Sequence, residues 1–475
     1  MKKDDLVRVY HLTSRRFPLV TILEENHIID TGATHSILPN PSRIFSPISN
    51  GIFSAMMNAL GEGIWENIQQ SANHFVPNMH IDGLIGVHIL GKYNIYYDVN
   101  NQILGLDRSN SLLKGKKITS KTQFGLPVIT AYINNQKVCL ALDTGADCGF
   151  LLKTPPSGYS LCGNIVDHHP LTGEFTTQTW KGNLEIEICN QRHSIQNVRF
   201  GKLPQILALS LQMAQIDGVV GVDIFSKFAI QFSHSFQNIE MIDIDIHSDL
   251  GMHYDAMFED IFPHMLASYT DSMIAYIQKH YLRKKILDVG AGTGRLALPL
   301  AEQGFLVTAV EPSSSMMGAL LSKAYRKNIQ LQSYLGEIQD ITLPRNDYEV
   351  LIFAFGVTDY INDDEKLKQI LRHVSKICTA DAILLIQPSP QYLMTSISNV
   401  GTNYTREIDV NMRGDIADVS HRVFYNKECV INESIEMKYR SKELLISISS
   451  DVGWNYQKEE YVDAYPTLIF SRTST

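Results

Sequence analysis

Cysteine is scarce in this 475-residue chain: Cys139, Cys148, Cys162, Cys189, Cys378 and Cys429 are its six thiols, and no two stand at Cys-x-x-Cys spacing. That pattern argues against a disulfide-stapled scaffold and a cysteine-built zinc site, and it predicts a reducing, cytoplasmic setting. Positive charge is also in deficit. Lys and Arg number 41 against 50 Asp and Glu, a net charge of −9, so no basic face is available to phosphates and nucleic acid is a poor substrate. Arg283-Lys284-Lys285 is too short a cluster to change this and reads as a solvated helix end. No apolar run approaches bilayer length, and the polar start Met1-Lys2-Lys3-Asp4-Asp5 leads into no signal-peptide core, so neither a membrane span nor a secretory leader is expected. Histidine is plentiful, but His168-His169 is the only adjacent pair and lacks Cys or acidic partners at ligand spacing. It reads as a pair of polar side chains on the surface or on the second flap, and no metal is expected.

What the chain does have is a repeat. Asp-Thr-Gly occurs at Asp30-Thr31-Gly32 and again at Asp143-Thr144-Gly145, and each copy has a downstream apolar-Gly partner, Ile81-Asp82-Gly83-Leu84-Ile85-Gly86 and Ile216-Asp217-Gly218-Val219-Val220-Gly221. Before each copy stand short runs rich in β-branched residues, 17–22 and 126–133, then turns at Glu24-Glu25-Asn26 and Asn134-Asn135-Gln136. Second strands, 27–29 and 138–142, then run into the two aspartates, so each Asp is predicted at a strand-to-loop junction. Two carboxyls about 3 Å apart cannot both ionise easily, and one shared proton makes them base and acid at a single carbonyl. The Thr hydroxyls suit a bond across to the other copy, and Gly lets backbone pass tightly beside the carboxyl.

On these residues each half resembles a retropepsin-type aspartic protease lobe, with Asp-Thr-Gly-Ala-Thr in one copy and Asp-Thr-Gly-Ala-Asp in the other. The resemblance implies two all-β lobes in one chain, with Asp30, Thr31, Gly32, Asp143, Thr144 and Gly145 as the catalytic loops. Hairpin flaps are expected at Leu60-Gly61-Glu62-Gly63 and Leu171-Thr172-Gly173-Glu174. Cys148-Gly149 departs from the usual polar pair, and the second copy has the longer span to its partner segment, so an asymmetric site is expected.

A different grammar begins at Lys285. The strand Ile286-Leu287-Asp288-Val289 enters Gly290-Ala291-Gly292-Thr293-Gly294-Arg295 and a helix, and a second strand, 305–310, ends in Glu311. Glycines at a helix start allow a ligand close to the backbone, and an acid about 20 residues on can bind both ribose hydroxyls. The spacing differs from the dinucleotide fingerprint GxGxxG. It resembles the first motif of class I S-adenosylmethionine-dependent methyltransferases, which implies an α/β Rossmann-like fold over about 251–471. By that resemblance Asp288, Gly290, Ala291, Gly292 and Gly294 shape the S-adenosylmethionine pocket, Glu311 holds the ribose and Glu337, after Gly336, meets adenine. Tyr254-Asp255 is expected to begin a preceding helix, 348–355 to be the fourth strand, and 439–454 the late helix and turn. Ile377-Cys378-Thr379-Ala380-Asp381 stands where relatives have a Pro-Gly-Gly turn. Segments 406–410 and 421–439 read as alternating strands over the site. Asp359, Tyr360 and His421 read as a loop or cap residue, a packed ring and a strand residue, with no catalytic role assigned.

Three domains follow: lobe one over 1–110, lobe two over 111–247, with a polar linker at 109–121 and a closing strand at 238–246, and a methyltransferase over 248–475. The expected function is bifunctional: an aspartic endopeptidase fused to a methyltransferase acting on a peptide, such as a ribosomally made natural-product precursor, since tethering raises the effective concentration of one site near the other's product. Two alternatives stay open, a non-cleaving peptide-binding pair of lobes and a small-molecule methyltransferase with an unrelated protease. The sequence leaves oligomeric state, peptide preference and acceptor atom open.

Overall fold

The computed structural model describes residues 8–14, 17–22, 24–34, 36–38, 65–70, 72–73, 75–107, 115–146, 149–152, 155, 157–169, 173–200, 203–242, 250–281, 284–343, 345–389, 396–462 and 465–472. The chain forms two compact units, one essentially 10–243 and the other essentially 244–475.

The amino-terminal unit is built almost wholly of strands. Leu19–Ile22 and Glu25–Ile29 form a hairpin, as do Leu126–Ile133 and Gln136–Leu142. The turns are tighter than the sequence suggests: Glu25, Asn26 and Gln136 already belong to strands, and Glu24, Asn134 and Asn135 supply the left-handed backbone, at φ 69°, 50° and 62°. Asn is among the residues that tolerate this region best.

Each apolar-Gly segment pairs in parallel with its Asp-bearing strand. Ile28 faces Leu84 in one copy and Ala141 faces Val219 in the other. Beside these ladders a further sheet sets Ile103–Asp107, Asn94–Asp98, Ala229–Phe232, Ile239–Ile242 and Lys116–Ile118 side by side. The pairing of Tyr97 with Ile230 joins the two halves of the repeat in that sheet. One buried cluster, including Ile29, Tyr97, Leu142, Phe225 and Phe232, accordingly runs through both halves. The expected linker at 109–121 is partly strand, Lys116–Ile118 and Ser120–Gln123, because its residues complete sheet edges and bury Ile118. The closing strand is Ile239–Ile242.

Strands Ser160–His169 and Gly173–Ile188 pair antiparallel up to His169 and Gly173, so a long hairpin rises where the second flap is expected. Gly173 and Glu174 belong to its strand. The first flap, 60–63, lies outside the described residues.

In the carboxyl-terminal unit the sheet order is Gln332–Leu335, Leu306–Glu311, Lys285–Val289, Tyr348–Phe353, Cys378–Ile386, Tyr465–Arg472, Trp454–Val462. The first five are parallel and Tyr465–Arg472 runs antiparallel to Cys378–Ile386. From Lys285–Val289 the chain builds outward to one side and then returns to the other, and the crevice at such a reversal is where open α/β sheets bind ligands. The preceding helix begins at Leu250, before Tyr254, and the late helix is Lys442–Ser450. Residues 378–381 continue a strand instead of turning; Cys378 is buried beside Tyr348, so no separate loop is required there. The two alternating stretches expected, 406–410 and 421–439, fall in an antiparallel sheet of Ile397–Val400, Tyr404–Arg413, Ile416–Tyr425 and Glu428–Lys438.

Among the described residues no helix is long and apolar enough to cross a membrane.

Candidate functional site

Within the amino-terminal unit the structure brings Asp30 and Asp143 together. Each arrives at the end of its strand and is pinned by the partner segment: Asp30 N donates to Ile85 O and Asp143 N to Val220 O, both at 3.0 Å. The loops then interlock. Thr31 Oγ1 donates to Leu142 O at 2.8 Å, Thr144 Oγ1 donates to Ile29 O at 2.6 Å, and each hydroxyl accepts the other threonine's backbone N–H, at 3.0 and 3.1 Å. Both threonines are buried, so leaving any of these groups unpaired would cost about 1–3 kcal/mol.

Glycine follows for steric reasons. A Cβ on Gly32 would collide with the Asp143 carboxyl, and one on Gly145 would fall 2.9 Å from Asp30 Cγ. Asp30 Oδ1 accepts from Gly32 N at 2.8 Å and Ala33 N at 2.9 Å, while Asp143 Oδ1 accepts from Gly145 N at 2.8 Å. The carboxyls hydrogen-bond each other. Burial holds both above the usual carboxylate range, and the charge of Asp30 adds to the rise of Asp143, so the pair titrates together and is poised to keep one proton between its two carboxyls.

Sequence reasoning missed how these loops are braced. Asp82 and Asp217, inside the apolar-Gly segments, accept from Asn26 N at 2.7 Å and Cys139 N at 2.9 Å. A second brace differs between copies. Asp223 accepts from both Gly149 N, at 2.8 Å, and Gly221 N, at 3.1 Å. At the matching positions His88 Nδ1 accepts from Ser36 N at 3.0 Å, and Ser36 Oγ accepts from Gly86 N at 2.8 Å. Aligning Gly86-Val87-His88 with Gly221-Val222-Asp223 would have revealed the pairing of roles.

The carboxyl-terminal unit has a cavity of about 470 Å³ at the end of Lys285–Val289, a size suited to a small-molecule ligand. Its floor is the turn in which Gly290, Gly292 and Gly294 hold φ of 71°, 55° and 82°, a region that favours glycine. Ala291 lies between them. Glu311 accepts from Gly292 N at 2.8 Å with one oxygen and from Ser313 N at 2.9 Å with the other. A carboxylate has about four lone-pair sites, so it can still accept from a diol. Burial, reinforced by the charge of Glu311 and opposed by that of Arg295, pushes Asp288 up to about 7, and Asp288 also accepts from the backbone of Ala297 at the helix start. Gly336 and Glu337 line the same cavity, and Glu337 pairs with Lys366 at 2.7 Å.

Several wall residues were not legible in the sequence. Arg295 lies over the Phe355 ring, 3.8 Å from its centroid. Arg440, its side chain wholly buried, donates to Thr358 O at 2.8 Å, Ile361 O at 2.7 Å and Asp364 at 2.8 Å, fixing the turn 357–360 against the cavity. Thr293 donates to Asp255 at 2.8 Å, and Asp255 also pairs with Lys323, tying the first helix to the glycine turn. Asp359 is buried and accepts from Ser389 N at 3.1 Å; Tyr360 lines the cavity and is 43 % exposed instead of packed. His421 is buried on its strand between Glu433, at 2.9 Å, and Arg406, at 3.2 Å. Among the described residues no group of three His, Cys, Asp or Glu side chains is placed to hold a metal.

Residues 286–381 match a family described as "Methyltransferase domain". A putative methyltransferase of Geobacillus sp. (strain WCH70) is 30% identical over 114 residues, 24% of this chain and 46% of that protein. A ubiquinone biosynthesis O-methyltransferase of Rickettsia akari (strain Hartford) is 30% identical over 107 residues, 22% of this chain and 41% of its own. The chain thus spans less than half the length of these curated relatives. Among solved structures, an S-adenosylmethionine-dependent methyltransferase from Clostridium acetobutylicum ATCC 824 aligns at 13% identity with a TM-score of 0.42, covering 47% of this chain and 98% of that one. The glycine turn and the matched family together identify a class I S-adenosylmethionine-dependent methyltransferase domain at residues 286–381, with S-adenosylmethionine as its cofactor.

Proposed function

We propose that the protein is a bifunctional peptide-maturation enzyme, an aspartic endopeptidase joined to a methyltransferase whose acceptor is a peptide. The observation that carries the proteolytic half is the reciprocal threonine interlock, which holds two carboxyls around one proton. In the proposed reaction Asp30 takes a proton from water as the water oxygen bonds to the scissile carbonyl carbon, and Asp143 gives its proton to the carbonyl oxygen. The diol then collapses: its hydroxyl returns a proton to Asp143, Asp30 delivers the other to the departing nitrogen, and the C–N bond breaks.

In the methylating half the bound cofactor supplies an electrophilic methyl group on a sulfonium. The chain's own part is alignment and exclusion of water. Glu311 receives the ribose hydroxyls, the glycine turn admits the cofactor against the backbone, and the Arg440-anchored turn closes one wall.

Cleavage creates a new amine and a new carboxylate, either of which can accept a methyl group. A short precursor peptide fits such a pair. Incubation with candidate precursors and labelled S-adenosylmethionine, followed by mass spectrometry, tests both halves. Two fragments, one heavier by a methyl group, are expected. An uncut but methylated peptide would reduce the lobes to a binding module, and an unchanged peptide would reject a peptide substrate.

A further inference from the structure

The cavity of the carboxyl-terminal unit holds one cation whose role the reading above leaves open. Its acids are Asp288, Glu311 and Glu337, and its basic lining residues are Arg295 and Lys366. Lys366 is engaged by Glu337 at 2.7 Å. Arg295 is not so engaged: its Nη1 is buried and has no hydrogen-bond partner among the described residues. A buried guanidinium nitrogen left without an acceptor is costly, and such an atom in a native fold calls for a ligand or another explanation.

The surroundings hold the group in place. Arg295 follows Gly294 in the turn, and its guanidinium stacks on Phe355 at 3.8 Å. Stacking fixes the plane of the fork while leaving its edge for in-plane acceptors. The charge of Asp288 reaches it, but that carboxyl is itself pushed up to about 7 by burial and so is only partly ionised near neutral pH. Arg295 therefore carries positive charge that the protein does not fully neutralise, inside the cavity and beside the glycine turn.

We infer that Arg295 is a carboxylate subsite of this cavity, its planar fork accepting an anionic ligand group against the face of Phe355. The inference rests on the methyltransferase reading and adds the anchor that the motif glycines do not supply. Two carboxylates could fill it, the amino-acid end of the cofactor or a carboxylate of the methyl acceptor, and the chemistry of recognition is the same.

Calorimetric titration of the full chain separates them. S-adenosylhomocysteine and its decarboxylated analogue are each titrated into the unsubstituted protein, Arg295→Gln and Arg295→Lys, and succinate is titrated into each protein saturated with the analogue that binds. If the cofactor's carboxylate is the ligand, the unsubstituted protein prefers S-adenosylhomocysteine by about 10-fold or more, as one charge-assisted pair implies. Arg295→Gln then loses that preference while binding the decarboxylated analogue unchanged, which also reports an intact pocket. If the acceptor's carboxylate is the ligand, the cofactor preference survives in Arg295→Gln and saturable succinate binding is lost. Should the Gln variant bind nothing, Arg295→Lys decides, with a preference or succinate affinity reduced several-fold because a point charge replaces the fork. Unchanged cofactor preference together with unchanged succinate binding in the substituted proteins overturns the inference. Absence of any S-adenosylhomocysteine binding by the unsubstituted protein would instead strike at the methyltransferase reading itself.

Discussion

Asp30 and Asp143 in the amino-terminal unit, and Asp288 and Glu311 in the carboxyl-terminal unit, are both carboxyl pairs withdrawn from water, and their neighbours treat them differently. In the first pair the groups hydrogen-bond each other, and among the described residues no cation figures in raising or lowering either one. In the second, Glu311 is bound on both oxygens by backbone N–H groups, and the guanidinium of Arg295 pulls Asp288 down against burial. A pair stabilised by one shared proton is poised to move that proton. A pair separated by donors and a cation is poised to bind hydroxyls and a charged ligand. Under the proposed function the same desolvation penalty serves acid–base chemistry in one unit and recognition in the other.

The sharpest break of this contrast is Asp30→Asn. Peptide cleavage, read by mass spectrometry, should fall by about 10²–10⁴-fold or more, while calorimetric binding of S-adenosylhomocysteine stays as it was.

Asp143→Asn should lose cleavage equally yet behave differently in stability. The folded pair keeps protons that the unfolded chain releases above about pH 4, so stability falls as pH rises from there through the raised folded values. Removing the titrating group removes that loss. Thermal unfolding of the variant should accordingly occur at a higher temperature than the unsubstituted protein near pH 7, and the gain should shrink towards pH 4.

For the second pair the expected readout is binding. Asp288, up at about 7, is half-ionised near neutrality, and a cationic cofactor favours its charged form. S-adenosylmethionine should therefore bind several-fold more tightly at pH 8 than at pH 6 and release protons near pH 7, seen as a buffer-dependent enthalpy. Asp288→Asn should flatten both effects. Without ligand, the stability contributed by keeping this carboxyl protonated is full below about pH 4 and declines as pH rises through 7.

The smallest effects belong to the interlock. Thr31→Val and Thr144→Val each remove a hydroxyl that donates to a carbonyl and accepts an N–H, and each should cost about 1–3 kcal/mol in denaturant unfolding. Matching losses would support a symmetric clamp; a loss in one alone would show that one loop dominates the geometry of the pair.

Much of the site was legible because its signals are local or repeated. Asp-Thr-Gly twice, each with an apolar-Gly partner, foretold two strand-ended aspartates, and Gly290-x-Gly292-x-Gly294 followed by Glu311 foretold a left-handed glycine turn with an acid at the end of the next strand. The braces were less visible. His88 with Ser36 does in one copy what Asp223 does alone in the other, and different residue types conceal a shared hydrogen-bonding task. Arg295 and Arg440 stand among motif or strand residues with nothing in sequence to mark which carbonyl or ring they meet. The 109–121 stretch looked like a linker because it is polar, whereas the backbone of 116–118 and 120–121 pairs at sheet edges that admit polar side chains on the open face.

By itself the sequence determined the short-range things: where strands end in aspartates, where glycine must permit a left-handed turn, and which carboxyl stands one strand beyond it. Backbone sterics and residue-type chemistry act over a few positions, so they are written in order along the chain. Tertiary structure alone decided that Thr31 and Thr144 exchange hydrogen bonds across 113 residues, that Asp30 and Asp143 are both raised by burial, and that Arg295 lies on Phe355. Those outcomes depend on desolvation and on distances between groups remote in sequence, and such quantities exist only once the chain has folded.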